Sequence, residues 1–96
     1  VRVLVSHAPP VNTTLDRVKM GIHAGSSIVR EILVKHQIDL CICGHIHEAG
    51  GVEKVEGCVC VNPGPLSGGN YAYVTIESDL SGNPDTTTID VERRKL

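Results

Sequence analysis

Two strand-like runs separated by a single helical stretch constrain this chain more than any other feature in it. Residues 1–5 read Val-Arg-Val-Leu-Val. Residues 40–43 read Leu-Cys-Ile-Cys, with no charge and no turn former, which is how a strand buried on both faces reads. Between them Ile28, Val29, Ile32, Leu33 and His36 recur at helical spacing, with Arg30, Glu31 and Lys35 on the other side. This is an amphipathic helix that Ser26 or Ser27 can cap and whose negative end suits Lys35 and His36. Strand, loop, helix, strand in that order is a βαβ unit, so the two strands should be parallel with a right-handed crossover.

Both runs stop at a histidine. After residue 5 come Ser6-His7-Ala8-Pro9-Pro10, where two prolines cannot continue a ladder. After residue 43 come Gly44-His45-Ile46-His47-Glu48, and Gly44 is expected to take a backbone conformation that a Cβ would hinder. In α/β sheets ligands bind beyond the C-terminal ends of the strands, so His7, His45 and His47 should open onto one edge. Three imidazoles there suit zinc, manganese, iron or nickel, and ligand type alone does not choose among them. On spacing alone, each is equally well a surface loop histidine.

Residues 11–25 lack a clean period and read as a long loop in which Asp16, Arg17 and Lys19 form a small solvated charged cluster. His23, also in that loop, and Asn70 are weak candidates for substrate contact. Beyond the second histidine loop, residues 52–55, 58–61, 70–76 and 86–91 read as strands. Turns at 56–57, 63–69 and 79–84 make them an antiparallel meander.

Composition narrows the partners. The chain has 96 residues, 41% hydrophobic and 21% charged, enough for one domain, with no Phe or Trp to build its core. A net charge of −2 argues against nucleic acid, and no apolar run is long enough to span a membrane. A cytoplasmic location is expected. The sequence opens in mid-strand, which reads as a fragment, and homo-oligomerisation is left open. Cys41, Cys43, Cys58 and Cys60 form two C-x-C pairs on strands that could be neighbours. They could hold structural zinc or form disulfides, but set among Leu, Ile and Val they read as buried free thiols with neither.

The run Val3-Leu4-Val5-Ser6-His7-Ala8-Pro9-Pro10, followed by the helix and by Cys43-Gly44-His45-Ile46-His47-Glu48, resembles the C-terminal half of calcineurin-like metallophosphoesterases. Gly25-Ser26 and Asn62-Pro63-Gly64 extend the resemblance to about residue 76. It implies that His7 and His45 coordinate one metal and His47 the other. It also implies a hydrolase with two divalent transition metals, in which an activated hydroxide attacks phosphorus in line in a small phosphomonoester or phosphodiester. The family's D-x-H, G-D and G-N-H motifs are absent from this sequence. No catalytic residue is therefore identifiable in it, and its own missing N-terminal half becomes an expected partner. The fold class expected is α/β, a mixed β-sheet with one main helix, equivalent to the C-terminal half of a metallophosphoesterase-type sandwich. A different class stays open: a non-catalytic metal-binding or protein-interaction module.

Overall fold

Strands β1 (Val3–Val5) and β2 (Leu40–Ile42) pair in parallel, Val3 opposite Leu40, in the computed structural model, which describes residues 1–78 and 87–96. Helix α1 (Ser27–Lys35) makes the crossover. The Ser26 hydroxyl caps it by accepting from the Val29 amide at 3.1 Å. Strands β3 (Gly51–Val55) and β4 (Cys58–Asn62) form a hairpin. Glu56 and Gly57 turn it with φ of 53° and 77°, the two positive values that a type I′ turn requires. Strand β4 then lies parallel to β2 on its second edge, giving a four-stranded sheet in the order β1-β2-β4-β3.

The α/β class with one helix is what the structure shows, but the second half is not one meander. Among the described residues, strands β5 (Asn70–Glu77) and β6 (Thr88–Lys95) pair only with each other, as a separate antiparallel ribbon. The break follows from Pro63, Gly64 and Pro65 after β4, with Gly64 at φ 93°, which no ladder can continue. The turn expected at 79–84 lies outside the described residues.

Period-two alternation sorts the sheet's side chains. Cys41, Cys43, Cys58 and Cys60 cluster with Val29 and Leu33 of α1, with Leu15 and with Val55, while Leu40 and Val61 are buried on the alternate positions. A core of thiols and short aliphatics is narrow. Accordingly only Val29 and Leu33 of the helix are buried, and Ile28, expected on the apolar stripe, is 68% exposed. His36 caps the helix and is exposed. At the outer edge of the sheet, Val3 and Val5 of β1 are exposed. Among the described residues no helix is long and apolar enough to cross a membrane.

Candidate metal centre

The parallel pairing of β1 and β2 carries both chains to the same sheet edge. Ser6 donates to the Ile42 carbonyl at 2.9 Å, and Gly44 donates to the His7 carbonyl at 3.1 Å, so the ladder continues past both strands into the histidine loops. There Ile46 donates to the Gly44 carbonyl at 2.7 Å across His45, whose φ is 66°. This is a γ-turn of the rare form with a positive central φ. A non-glycine residue in that region is strained, and such strain collects at functional sites. The turn aims His45 at His7: Nδ1 of His45 lies 2.7 Å from Nε2 of His7, with ring centroids 4.5 Å apart and planes at 55°. At that distance the two nitrogens are hydrogen-bonded, one donating and the other accepting according to the tautomer each ring holds.

Gly44 does not do what the sequence suggested. It has no positive φ, and a Cβ there would meet nothing within 4 Å. The left-handed residue of the loop is the histidine itself.

His47 begins a short 3-10 turn, His47–Ala49, and is exposed. Asn62, the last residue of β4, holds that turn from below. Its side-chain amide donates to the carbonyls of Ile46 at 2.9 Å and Ala49 at 3.3 Å, and its oxygen accepts from the Gly64 amide at 3.1 Å. Asn62 is 1% exposed, so these bonds have no competition from water. Among the described residues no group of three or more His, Cys, Asp or Glu side chains is placed to hold a metal ion. The structure therefore joins His7 to His45 and does not bring His47 into the pair.

The pair suits two positions around one ion. Metal–imidazole bonds of about 2.0–2.1 Å set adjacent donors roughly 2.9–3.4 Å apart, so these exposed rings would have to part by about 0.2–0.7 Å and turn until both lone pairs face the ion. The proton between them is what an ion would replace.

The other candidates have structural partners. Asp16, expected in a solvated cluster, is 0% exposed. Its carboxylate accepts from the amides of Asn12 (2.9 Å), Thr13 (3.0 Å) and Gly25 (3.0 Å) and meets His23 Nδ1 at 2.6 Å. Burial pushes the Asp16 carboxyl up, but His23 and the three amides more than offset it and hold the group below its ordinary range. His23 is thus the side-chain partner of Asp16, and Gly25 is glycine because a Cβ would come within 2.8 Å of Asp16 Cβ and of the Pro9 and Pro10 carbonyls. Asn70 donates to the Pro65 carbonyl at 2.9 Å and closes the loop after β4. All four cysteines are free and buried. Hydrogen bonding to Cys41, then burial, pushes the Cys43 thiol far above its ordinary range, and bonds to Cys41 and Cys58 do the same to Cys60. Sequence reasoning missed both anchors, Asp16 and Asn62. A signal existed for the first, since Asn12-Thr13-Thr14-Leu15-Asp16 has the short polar residues that hydrogen-bond their own backbone in turns.

Residues 1–81 match the family model for metallophosphoesterases of the calcineurin superfamily. An uncharacterized protein of Methanocaldococcus jannaschii is 46% identical over 68 residues, which is 67% of this chain and 31% of that protein. A solved crystal structure superposes with a TM-score of 0.68 at 29% identity, covering 95% of this chain and 32% of its own. The chain thus spans about a third of the length of the relatives it matches. With a family match over most of its length, the chain belongs to the calcineurin superfamily of metallophosphoesterases.

Proposed function

We propose that this chain supplies part of a two-metal phosphoesterase centre, with His7 and His45 on one ion and His47 on the other, acting on phosphomonoesters or phosphodiesters. The observation that carries the reading is the His7–His45 pair, 2.7 Å apart at the ends of two parallel strands, with His45 held in a strained turn to make it. A zinc, manganese, iron or nickel ion there supplies Lewis acidity toward phosphoryl oxygens and activates water as nucleophile. The chain's own residues do the positioning. Asn62 fixes the turn that bears His47, the β1–β2 ladder fixes the spacing of His7 and His45, and both rings are open to solvent and so to substrate.

Carboxylate ligands are supplied, on this reading, by the part of the polypeptide that corresponds to the rest of the relatives' length. Neutral imidazoles cannot by themselves offset the repulsion of two dications about 3.5–4 Å apart. The test is turnover of bis-p-nitrophenyl phosphate with manganese, for this chain alone and joined to segments that make up the rest of a relative's length, each beside a His45→Ala control. The joined protein should turn over and lose activity in the control, while the chain alone should not exceed background. Metal-dependent turnover by the chain alone that vanishes with His45→Ala would overturn this division of ligands.

A further inference from the structure

The turn that bears His47 is too short to hold its own shape. It spans three residues, closes with one bond from the Ala49 amide to the Ile46 carbonyl at 3.1 Å, and has no side-chain cap. Asn62 holds it from below, through the carbonyls of Ile46 and Ala49. A second grip comes from a distant part of the chain. The Glu48 carboxylate, between His47 and Ala49 in the turn, accepts from the Lys19 amide at 3.2 Å.

Lys19 belongs to a small hairpin between Asp16 and Gly25. Val18 donates to the Ile22 carbonyl at 2.9 Å, and Arg17 bridges His23 in antiparallel fashion. The root is fixed, because Asp16 gathers Asn12, Thr13, His23 and Gly25 around one buried carboxylate. Just before it, the Thr14 amide donates to the Glu53 carboxylate at 2.9 Å and ties the segment to β3. At the tip Gly21 donates to the Val18 carbonyl at 3.2 Å, so Lys19 and Met20 are the central residues of a β-turn. Met20, at φ 73° and ψ 12°, makes the turn type II. The amide of the first central residue finds no acceptor inside such a turn and needs one outside it. Glu48 is that acceptor.

We infer that Glu48 is a positioning residue for His47: by holding the Lys19 amide it braces the His47 turn against the hairpin rooted at Asp16, and so fixes how His47 meets its ion. The inference rests on the two-metal reading above. It gives the Glu48 side chain the work of a hydrogen-bond acceptor rather than of a ligand. What the turn requires at this place is then an oxygen and not a charge, and that separates bracing from coordination. Supporting bonds at metal sites are worth about 10–100-fold in affinity, and a single exposed bond belongs at the low end of that range.

In the metal-free chain the Lys19 amide proton reports the contact by its exchange with solvent. Exchange should be slow in the protein and in Glu48→Gln, whose side-chain oxygen still accepts, and about fivefold faster in Glu48→Ala. The joined protein reports the consequence. Calorimetry with Mn²⁺ should show two ions, and Glu48→Ala should weaken the one at His47 about tenfold while leaving the one at His7 and His45 unchanged. Glu48→Gln should restore the weakened ion. A Glu48→Gln protein as weak as Glu48→Ala would overturn the inference, because charge would then be what Glu48 supplies. So would a Glu48→Ala protein that keeps both ions, or a Lys19 amide that exchanges equally fast in all three proteins. A joined protein that binds Mn²⁺ equally well with His45→Ala would instead remove the two-metal reading itself.

Discussion

Replacing Asp16 with asparagine tests the claim that one buried carboxylate holds the loop in front of α1. The carboxylate accepts four hydrogen bonds, two on each oxygen: Thr13 and His23 on one, Asn12 and Gly25 on the other. An asparagine can keep its oxygen toward Asn12 and Gly25 and turn its amide to His23, whose ring can accept instead of donate. The Thr13 amide then faces an N–H and is left buried without a partner. One orphaned buried donor plus the loss of charge assistance on the remaining bonds costs about 2–3 kcal/mol. With a urea slope of about 1 kcal/mol per molar for a chain this short, the unfolding midpoint should fall by roughly 2–3 M at pH 7. The pH dependence supplies an independent check. The folded Asp16 carboxyl lies below its ordinary value of 3.8, so its contribution is fully present above that value and is lost as pH falls through the lower folded one. The gap between the protein and its Asp16→Asn variant should thus narrow as pH falls below about 4. A midpoint shift worth less than about 0.5 kcal/mol, within the range of ordinary surface changes, would refute the reasoning.

Gly25→Ala should cost at least about 2 kcal/mol because its Cβ meets three atoms at 2.8 Å, two of them backbone oxygens, whereas Gly44→Ala should fall within about 0.5 kcal/mol, and the same urea titration compares them. Asn62→Ala should free the turn that carries His47, speeding amide exchange at Gly64 and Ala49 and lowering zinc affinity about 10–100-fold by calorimetry, as loss of a supporting hydrogen bond does at metal sites. Titration with a thiol reagent in denaturant without reductant should find four reactive groups, matching Cys41, Cys43, Cys58 and Cys60. In the native protein the same reagent should react slowly, because all four are buried out of its reach.

The parts of the fold that depend on period and order were legible before any coordinates. The βαβ unit followed from the spacing of Val29 and Leu33 between two apolar runs, and the β3–β4 hairpin followed from Glu56-Gly57. The convergence of His7 and His45 followed from parallel strands sharing one end. What stayed hidden depends on side chains that hydrogen-bond backbone far away in sequence. Asn62 reaches back to Ile46 and Ala49, and nothing in Asn62-Pro63-Gly64 names those partners. Asp16 looked like surface charge because charge ordinarily is surface, and only the closed loop shows that its donors are three backbone amides and a ring. The misreading of Gly44 has the same root: glycine marks freedom in a sequence, while the strained residue was the histidine that geometry required.

The parallel arrangement of β1 and β2 sets an order in time as well as in space. The β3–β4 hairpin joins neighbours through a two-residue turn and can close in about 1–10 μs. Val3 and Leu40 lie far apart in sequence, so the entropy of closing the segment between them should make docking of β1 slower than closure of that hairpin. Since His7 is delivered by β1 and His45 by β2, the pair exists only once that event is complete. A dication bound across the two rings would then slow the release of β1 more than it speeds its arrival, so the ion would act as a latch on the last strand to join.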